Sequence, residues 1–152
     1  VDSANIVGLY TSITIGADGN PIISYYNISS GDLKVAACIN AACTGVSTIT
    51  TVDNTNNVGE FSSITIGADG NPIISYYDAT AKDLKVAACT NATCRATPTL
   101  SIVDSTGDVG YYTSITIGAD GNPIISYWDA TALDLKVAKL TRTSWTPNTW
   151  ES

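Results

Sequence analysis

Histidine and methionine are both missing from the 152 residues, phenylalanine occurs once, and charge is scarce. Without histidine the chain has no imidazole for general acid–base work and none to ligate a metal. Only 14% of the residues are charged, and seven Lys and Arg against fourteen Asp and Glu leave a net charge of −7. That balance argues against a nucleic-acid partner, because phosphate binding needs a clustered Lys/Arg footprint and the basic residues here are scattered. No apolar run approaches the roughly 18 residues of a membrane-spanning helix, and no segment of any length places apolar residues at helical spacing. The chain opens at Val1, a start that fits a removed targeting peptide and equally fits excision from a longer repeat array.

What is present is a repeat. The fourteen residues Ser12 to Tyr25 return unchanged as Ser63 to Tyr76 and as Ser114 to Tyr127, a step of 51 residues each time. In the second copy, Ile64 and Ile66 alternate with Ser63 and Thr65, the period of a strand with one apolar face. Ala68-Asp-Gly-Asn71 reads as a hairpin loop, since Asp-Gly reaches positive φ at little cost. Pro72 opens the next strand, where its missing N–H does least harm. The adjacent pairs Ile73-Ile74 and Tyr76-Tyr77 put large side chains on both faces, so this strand is expected to be covered on both sides. Asp83 to Cys89 and Thr97 to Val103 complete four antiparallel strands.

A four-stranded meander that is apolar on both faces cannot bury itself alone, so neighbouring copies are expected to stack face to face. A unit near 50 residues with four strands matches a β-propeller blade. The expected fold is therefore all-β, a β-propeller of four-stranded antiparallel blades with three 51-residue blades per chain, at about 9–53, 60–104 and 111–152. The run Tyr-Thr-Ser-Ile-Thr-Ile-Gly-Ala-Asp-Gly-Asn-Pro-Ile-Ile-Ser-Tyr-Tyr, followed by Asp-Leu-Lys-Val-Ala, resembles the tandem propeller repeats of secreted bacterial proteins. That resemblance spans nearly the whole chain and implies a propeller fold and an extracytoplasmic address. It brings no catalytic residue with it.

Three blades are too few for a ring, which typically has roughly four to eight. Val1-Asp2 aligns with Val103-Asp104, and Ser152 with Ser101, so the end of one copy runs almost continuously into the start of another. A head-to-tail homodimer giving six blades is the expected partner arrangement, with a trimer, an open filament and a fragment of a longer array as the alternatives.

Cys38 and Cys43 fall in one repeat, Cys89 and Cys94 in the next, each pair as C-x4-C. Leu140 and Trp145 replace both members together in the third, and joint loss is what a bonded pair predicts. The spacing suits a structural zinc site poorly. Disulfides Cys38–Cys43 and Cys89–Cys94 are the expectation, and with them an oxidising, extracellular compartment.

Several motifs bear on function. Asp18, Asp69 and Asp120 precede Gly in the hairpin loops, where a single Asp is a turn former far more often than a calcium ligand. Asp32/Lys34, Asp83/Lys85 and Asp134/Lys136 recur as Asp-Leu-Lys and are expected to be polar anchors between blades. Tyr26/Asn27, Tyr77/Asp78 and Trp128/Asp129 place an aromatic beside a carboxamide or carboxylate, the pairing a sugar site uses for stacking and hydroxyl bonds, though large aromatics at such positions more often serve inter-blade packing. Trp128 stands out among them, because the repeats differ there. Tyr10, Phe61 and Tyr112 form a further column, and Phe61 argues for core, since it does without the hydroxyl. Asn27-Ile-Ser29 and Asn91-Ala-Thr93 fit the glycosylation pattern. Every acid that stands out is repeated by the duplication, whereas one active site needs asymmetry.

The expected function is a secreted or surface-exposed binding module without enzymatic activity, cofactor or metal, with a glycan as the candidate ligand. A self-assembling subunit of an extracellular fibre or surface layer is the alternative, and a glycan-active hydrolase the weaker one.

Overall fold

The computed structural model describes residues 1–140 and the backbone of Trp150–Glu151. Every regular element among them is a strand: β1 Val7–Ile15, β2 Pro21–Asn27, β3 Asp32–Cys38, β4 Val46–Asp53, β5 Val58–Ile66, β6 Pro72–Asp78, β7 Asp83–Ala88, β8 Thr99–Asp104, β9 Val109–Ile117, β10 Pro123–Asp129, β11 Asp134–Leu140 and β12 Trp150–Glu151. They form three antiparallel meanders, β1-β2-β3-β4, β5-β6-β7-β8 and β9-β10-β11-β12. The third has three full strands, with only the two residues of β12 alongside β11. Trp145, the counterpart of Cys43 and Cys94, lies outside the described residues.

Local chemistry sets each hairpin. In the first, Gly16 N–H donates to the Asn20 carbonyl at 2.8 Å and Gly19 N–H to that of Gly16 at 2.9 Å. Gly19 sits at φ 79°, a conformation cheap only for glycine. The Asp18 carboxylate accepts the Asn20 N–H at 3.0 Å and the Asn20 side-chain amide at 3.0 Å, so it is used up within the turn. Asp69 and Asp120 repeat both bonds.

Sheets stack face to face through two apolar layers. Ile74 and Tyr76 of β6 point into the layer shared with Leu33, Val35 and Val58. Ile73, one residue out of phase, points into the layer shared with Leu84, Val109, Ile125 and Tyr127. β6 is thus buried on both faces along its whole length, and each such side chain contributes about 1.5–3 kcal/mol. The first strands of the three sheets, β1, β5 and β9, lie side by side.

Two disulfides, Cys38–Cys43 and Cys89–Cys94, clip the ends of β3 and β7 to the turns that follow. No helix among the described residues is long and apolar enough to cross a membrane.

Candidate functional site

The first strand of each sheet carries an irregularity that shapes the surface. Register breaks between Leu9 and Ser12, between Glu60 and Ser63, and in β9 opposite Ser126 to Trp128. At each break one bulky aromatic adopts a left-handed backbone: Tyr10 at φ 51°, Phe61 at 54° and Tyr112 at 52°. Such a conformation is strained for a non-glycine residue and persists only where the surroundings impose it. The bulge turns these rings outward. Tyr10 and Tyr112 are exposed, Tyr112 to 68%, and Phe61 is half-buried between them. The expectation that this column is core is corrected for Tyr10 and Tyr112, which the irregularity in the strand leaves at the surface, while Phe61 stays half-buried.

The rings form a continuous ridge. Tyr10 and Phe61 are 4.4 Å apart centre to centre, Phe61 and Tyr112 4.7 Å, and Tyr111 packs on Phe61 at 5.4 Å. Trp128 closes one end, 5.6 Å from Tyr111 and 6.3 Å from Tyr112. Polar groups flank the ridge. Glu60 lies close enough to raise the phenol pKa of Tyr10 and Tyr26, adding to the larger effect of their burial. Asn57 and Asp108 accept the phenol hydrogens of Tyr26 and Tyr77, the latter at 2.7 Å. With Asn57 and Asp108 taken by these phenols, the ring faces and the Glu60 carboxylate are the groups left to meet a ring with one apolar face and hydroxyls around it.

No family model matches the chain, and no curated protein sequence matches it. Solved structures do match. The fold is similar to that of a GH43 β-1,3-galactosidase, with a TM-score of 0.69 at 10% identity, over 93% of this chain and 31% of that one. It is also similar to a fucose lectin from Kordia zhangzhouensis, solved with methyl-fucoside, with a TM-score of 0.50 at 11% identity, over 93% of this chain and 95% of the lectin. The chain therefore spans about a third of the galactosidase. At such identities the likeness is one of fold: all-β, with repeated antiparallel sheets.

The predicted ligand residues fare unequally. Tyr26 and Tyr77 are buried, their hydroxyls spent on Asn57 and Asp108 of the next repeat. Asn27, Asp78 and Asp129 are buried too, and cap turns: Asn27 accepts the Ser29 N–H at 3.0 Å, Asp78 the N–H groups of Thr80 and Ala81, and Asp129 those of Thr131 and Ala132. In these five residues, candidates for a ligand, the polar groups are occupied by the stacked sheet and the turn backbone. Trp128 alone is partly exposed.

The polar anchors are also rearranged. Lys34, Lys85 and Lys136 do reach across to the end of the preceding repeat, but to acids that were not singled out: Asp2 at 3.1 Å, Asp53 at 2.6 Å and Asp104 at 3.1 Å. Each of these acids also accepts the hydroxyl of a tyrosine, from Tyr25 at 2.6 Å, Tyr76 at 2.7 Å and Tyr127 at 2.8 Å. Asp32, Asp83 and Asp134 are not the partners. Asp32 accepts the Ser30 hydroxyl, Asp83 is buried with its pKa pushed up by desolvation, and Asp134 is exposed. A signal for the true partners was present in the Val-Asp pairs Val1-Asp2, Val52-Asp53 and Val103-Asp104, which keep the 51-residue step.

Electrostatics follows the geometry. The Tyr25 hydrogen bond, helped by Lys34 and the Ala4 N–H, holds Asp2 down at about 2. Burial pushes Asp53 up, yet bonds from Lys85, Thr55 and Tyr76 outweigh it and keep the acid below its ordinary value. Tyr76 is raised well above the usual phenol range, chiefly by burial and then by the Asp53 charge. These triads are fasteners between repeats.

Proposed function

We infer that the chain is a secreted carbohydrate-binding module, built as three blades of a β-propeller, with the aromatic ridge as its ligand surface. The observation that carries this reading is the left-handed backbone at Tyr10, Phe61 and Tyr112, which holds two large rings exposed and the third half-buried between them, beside Glu60. Strain kept at a surface position points to use. The likeness to a fucose lectin over nearly the full length of both chains supports the same reading. Two disulfides in so small a domain support an extracellular address.

The test is a glycan array followed by calorimetry, with methyl-fucoside as the first soluble probe. Glu60→Ala removes a carboxylate from the flank, and since hydrogen bonds to charged groups contribute about 1.5–3 kcal/mol, binding should weaken by about tenfold or more. Tyr112→Ala should weaken it further by removing an exposed ring. If no glycan on the array binds, or if both variants bind like the parent, the reading is lost.

A glycoside hydrolase is the lesser reading, supported by the likeness to the galactosidase. Against it, Asp53 and Asp104 are each committed to a lysine and a tyrosine, and Asp78 and Asp129 to turns. Release of galactose from a β-1,3-linked galactoside would reverse the order.

A further inference from the structure

We propose that a second copy of this chain docks head to tail on the open face of the third sheet, and that two copies close on each other through two identical junctions. This docking does not depend on what the aromatic ridge binds.

The chain contains this junction twice already. In the first, Leu33 lies over Gly59, so close that a Cβ there would sit 2.7 Å from the Leu33 Cα; in the second, Leu84 lies over Gly110, at 2.9 Å. Both leucines are fully buried. Val58 N–H donates to the Gly31 carbonyl at 2.9 Å, and Val109 N–H to that of Lys82 at 3.0 Å. The hydroxyls of Ser24 and Ser62 meet at 2.9 Å, and those of Ser75 and Thr113 meet in the same way.

One further step of 51 residues leads from Leu33 and Leu84 to Leu135, and one step back leads from Gly59 and Gly110 to Gly8. Here both halves stand open. Leu135 is 78% exposed, and a Cβ on Gly8 would meet nothing within 4 Å. A cavity of about 190 Å3 lies at Val7, Gly8, Thr11, Ile23 and Tyr25. The counterparts of Val7, Ile23 and Tyr25 in the second repeat, Val58, Ile74 and Tyr76, pack instead against Leu33 and Val35. Leu135 and Val137 are the side chains that fit the empty version.

A paired substitution identifies the occupant as this chain's own first repeat. At the internal junctions a phenol meets an acceptor, Tyr26 on Asn57 and Tyr77 on Asp108. At the third position the phenol is replaced by Trp128, and the acceptor by Ile6, which is exposed. Both partners turn apolar at the one junction that these 152 residues do not form within one copy. Each copy offers one Leu135 face and one Gly8 face, so two copies leave neither open. Six sheets fall within the usual size of such rings, roughly four to eight.

Light scattering on the full chain at micromolar concentration tests this. The parent should run at twice the 15.8 kDa chain mass. Leu135→Asp changes a side chain that is exposed within one chain, so the fold should hold while self-association weakens more than about tenfold. Ile6→Asp should weaken it likewise, and adding Trp128→Tyr should restore it by recreating the Tyr77–Asp108 pairing. Glu60→Ala, far from the junction in sequence, should leave the mass unchanged whatever it does to glycan binding. A monomeric parent, a Leu135→Asp variant that stays paired, or a failure of Trp128→Tyr to rescue would each overturn the junction. A three-copy particle or a filament would overturn the two-copy closure.

Discussion

Ser12–Tyr25 and Ser63–Tyr76 are the same fourteen residues, yet Ile13 is 62% exposed and Ile64 only 5%. The difference is the neighbour. β5 has sheets on both sides, whereas β1 has one. The same holds at the other end, where β7 is buried at every position and β11 is mostly open. A single unit of this chain is therefore half of two interfaces, and its apolar pattern states what it needs rather than what it has.

Four measurements would break or sharpen that contrast. The largest effect is expected from Asp53→Asn, which strips Lys85 and Tyr76 of their shared carboxylate between two sheets. Breaking a buried pair from one side costs about 3–5 kcal/mol, and urea denaturation should register it. Next, Ile64→Ala should cost about 2–4 kcal/mol, in the range for large-to-small core changes. Ile13→Ala in the Leu135→Asp background should stay within about 0.5 kcal/mol, as expected for a surface site. Equal losses would mean that β1 is covered even in one chain.

Reduction of the disulfides should cost about 2 kcal/mol for each short loop on the chain-entropy account. Thermal melting with and without reductant would measure it, and the first two repeats should bear the loss, since the third has no cysteine. The most gradual effect concerns pH. Asp2, Asp53 and Asp104 all titrate below their ordinary range when folded. A depressed carboxylate stabilises the fold fully above its unfolded value and loses that contribution as pH falls through its folded value. Stability should therefore decline from about pH 4 down to about 2, and circular dichroism across that window should follow it. A stability maximum at pH 3 would contradict the triads.

The strands were legible because their information is local. Ile-Thr-Ile alternates with period two, Asp-Gly turns, and Pro72 marks a strand start, so the meander follows from neighbours one or two residues apart. The site was legible only in part. Tyr10, Phe61 and Tyr112 continue the strand pattern, and a bulky ring at positive φ is what local rules disfavour, so the bulge that exposes them carries no signal in one repeat. The anchoring lysines were legible, but their acid partners were not, for a related reason. Lys85 finds Asp53 thirty-two residues away and Tyr77 finds Asp108 thirty-one away, on the adjoining sheet. Asp-Leu-Lys names the lysine that crosses to the neighbouring sheet, but the acid it meets is Asp53 of the preceding repeat and not Asp83.

The Asp53 and Asp104 fasteners belong by sequence to one repeat and by position to the next. A segment cut in phase, from one such acid to the following one, therefore carries a complete lysine and tyrosine at its start and a fresh acid at its end. Adding or deleting one such segment leaves every remaining seam chemically whole. Copy number in this architecture is free to change by tandem duplication in a single event, with no compensating substitution, and three near-identical copies are the record such a process leaves.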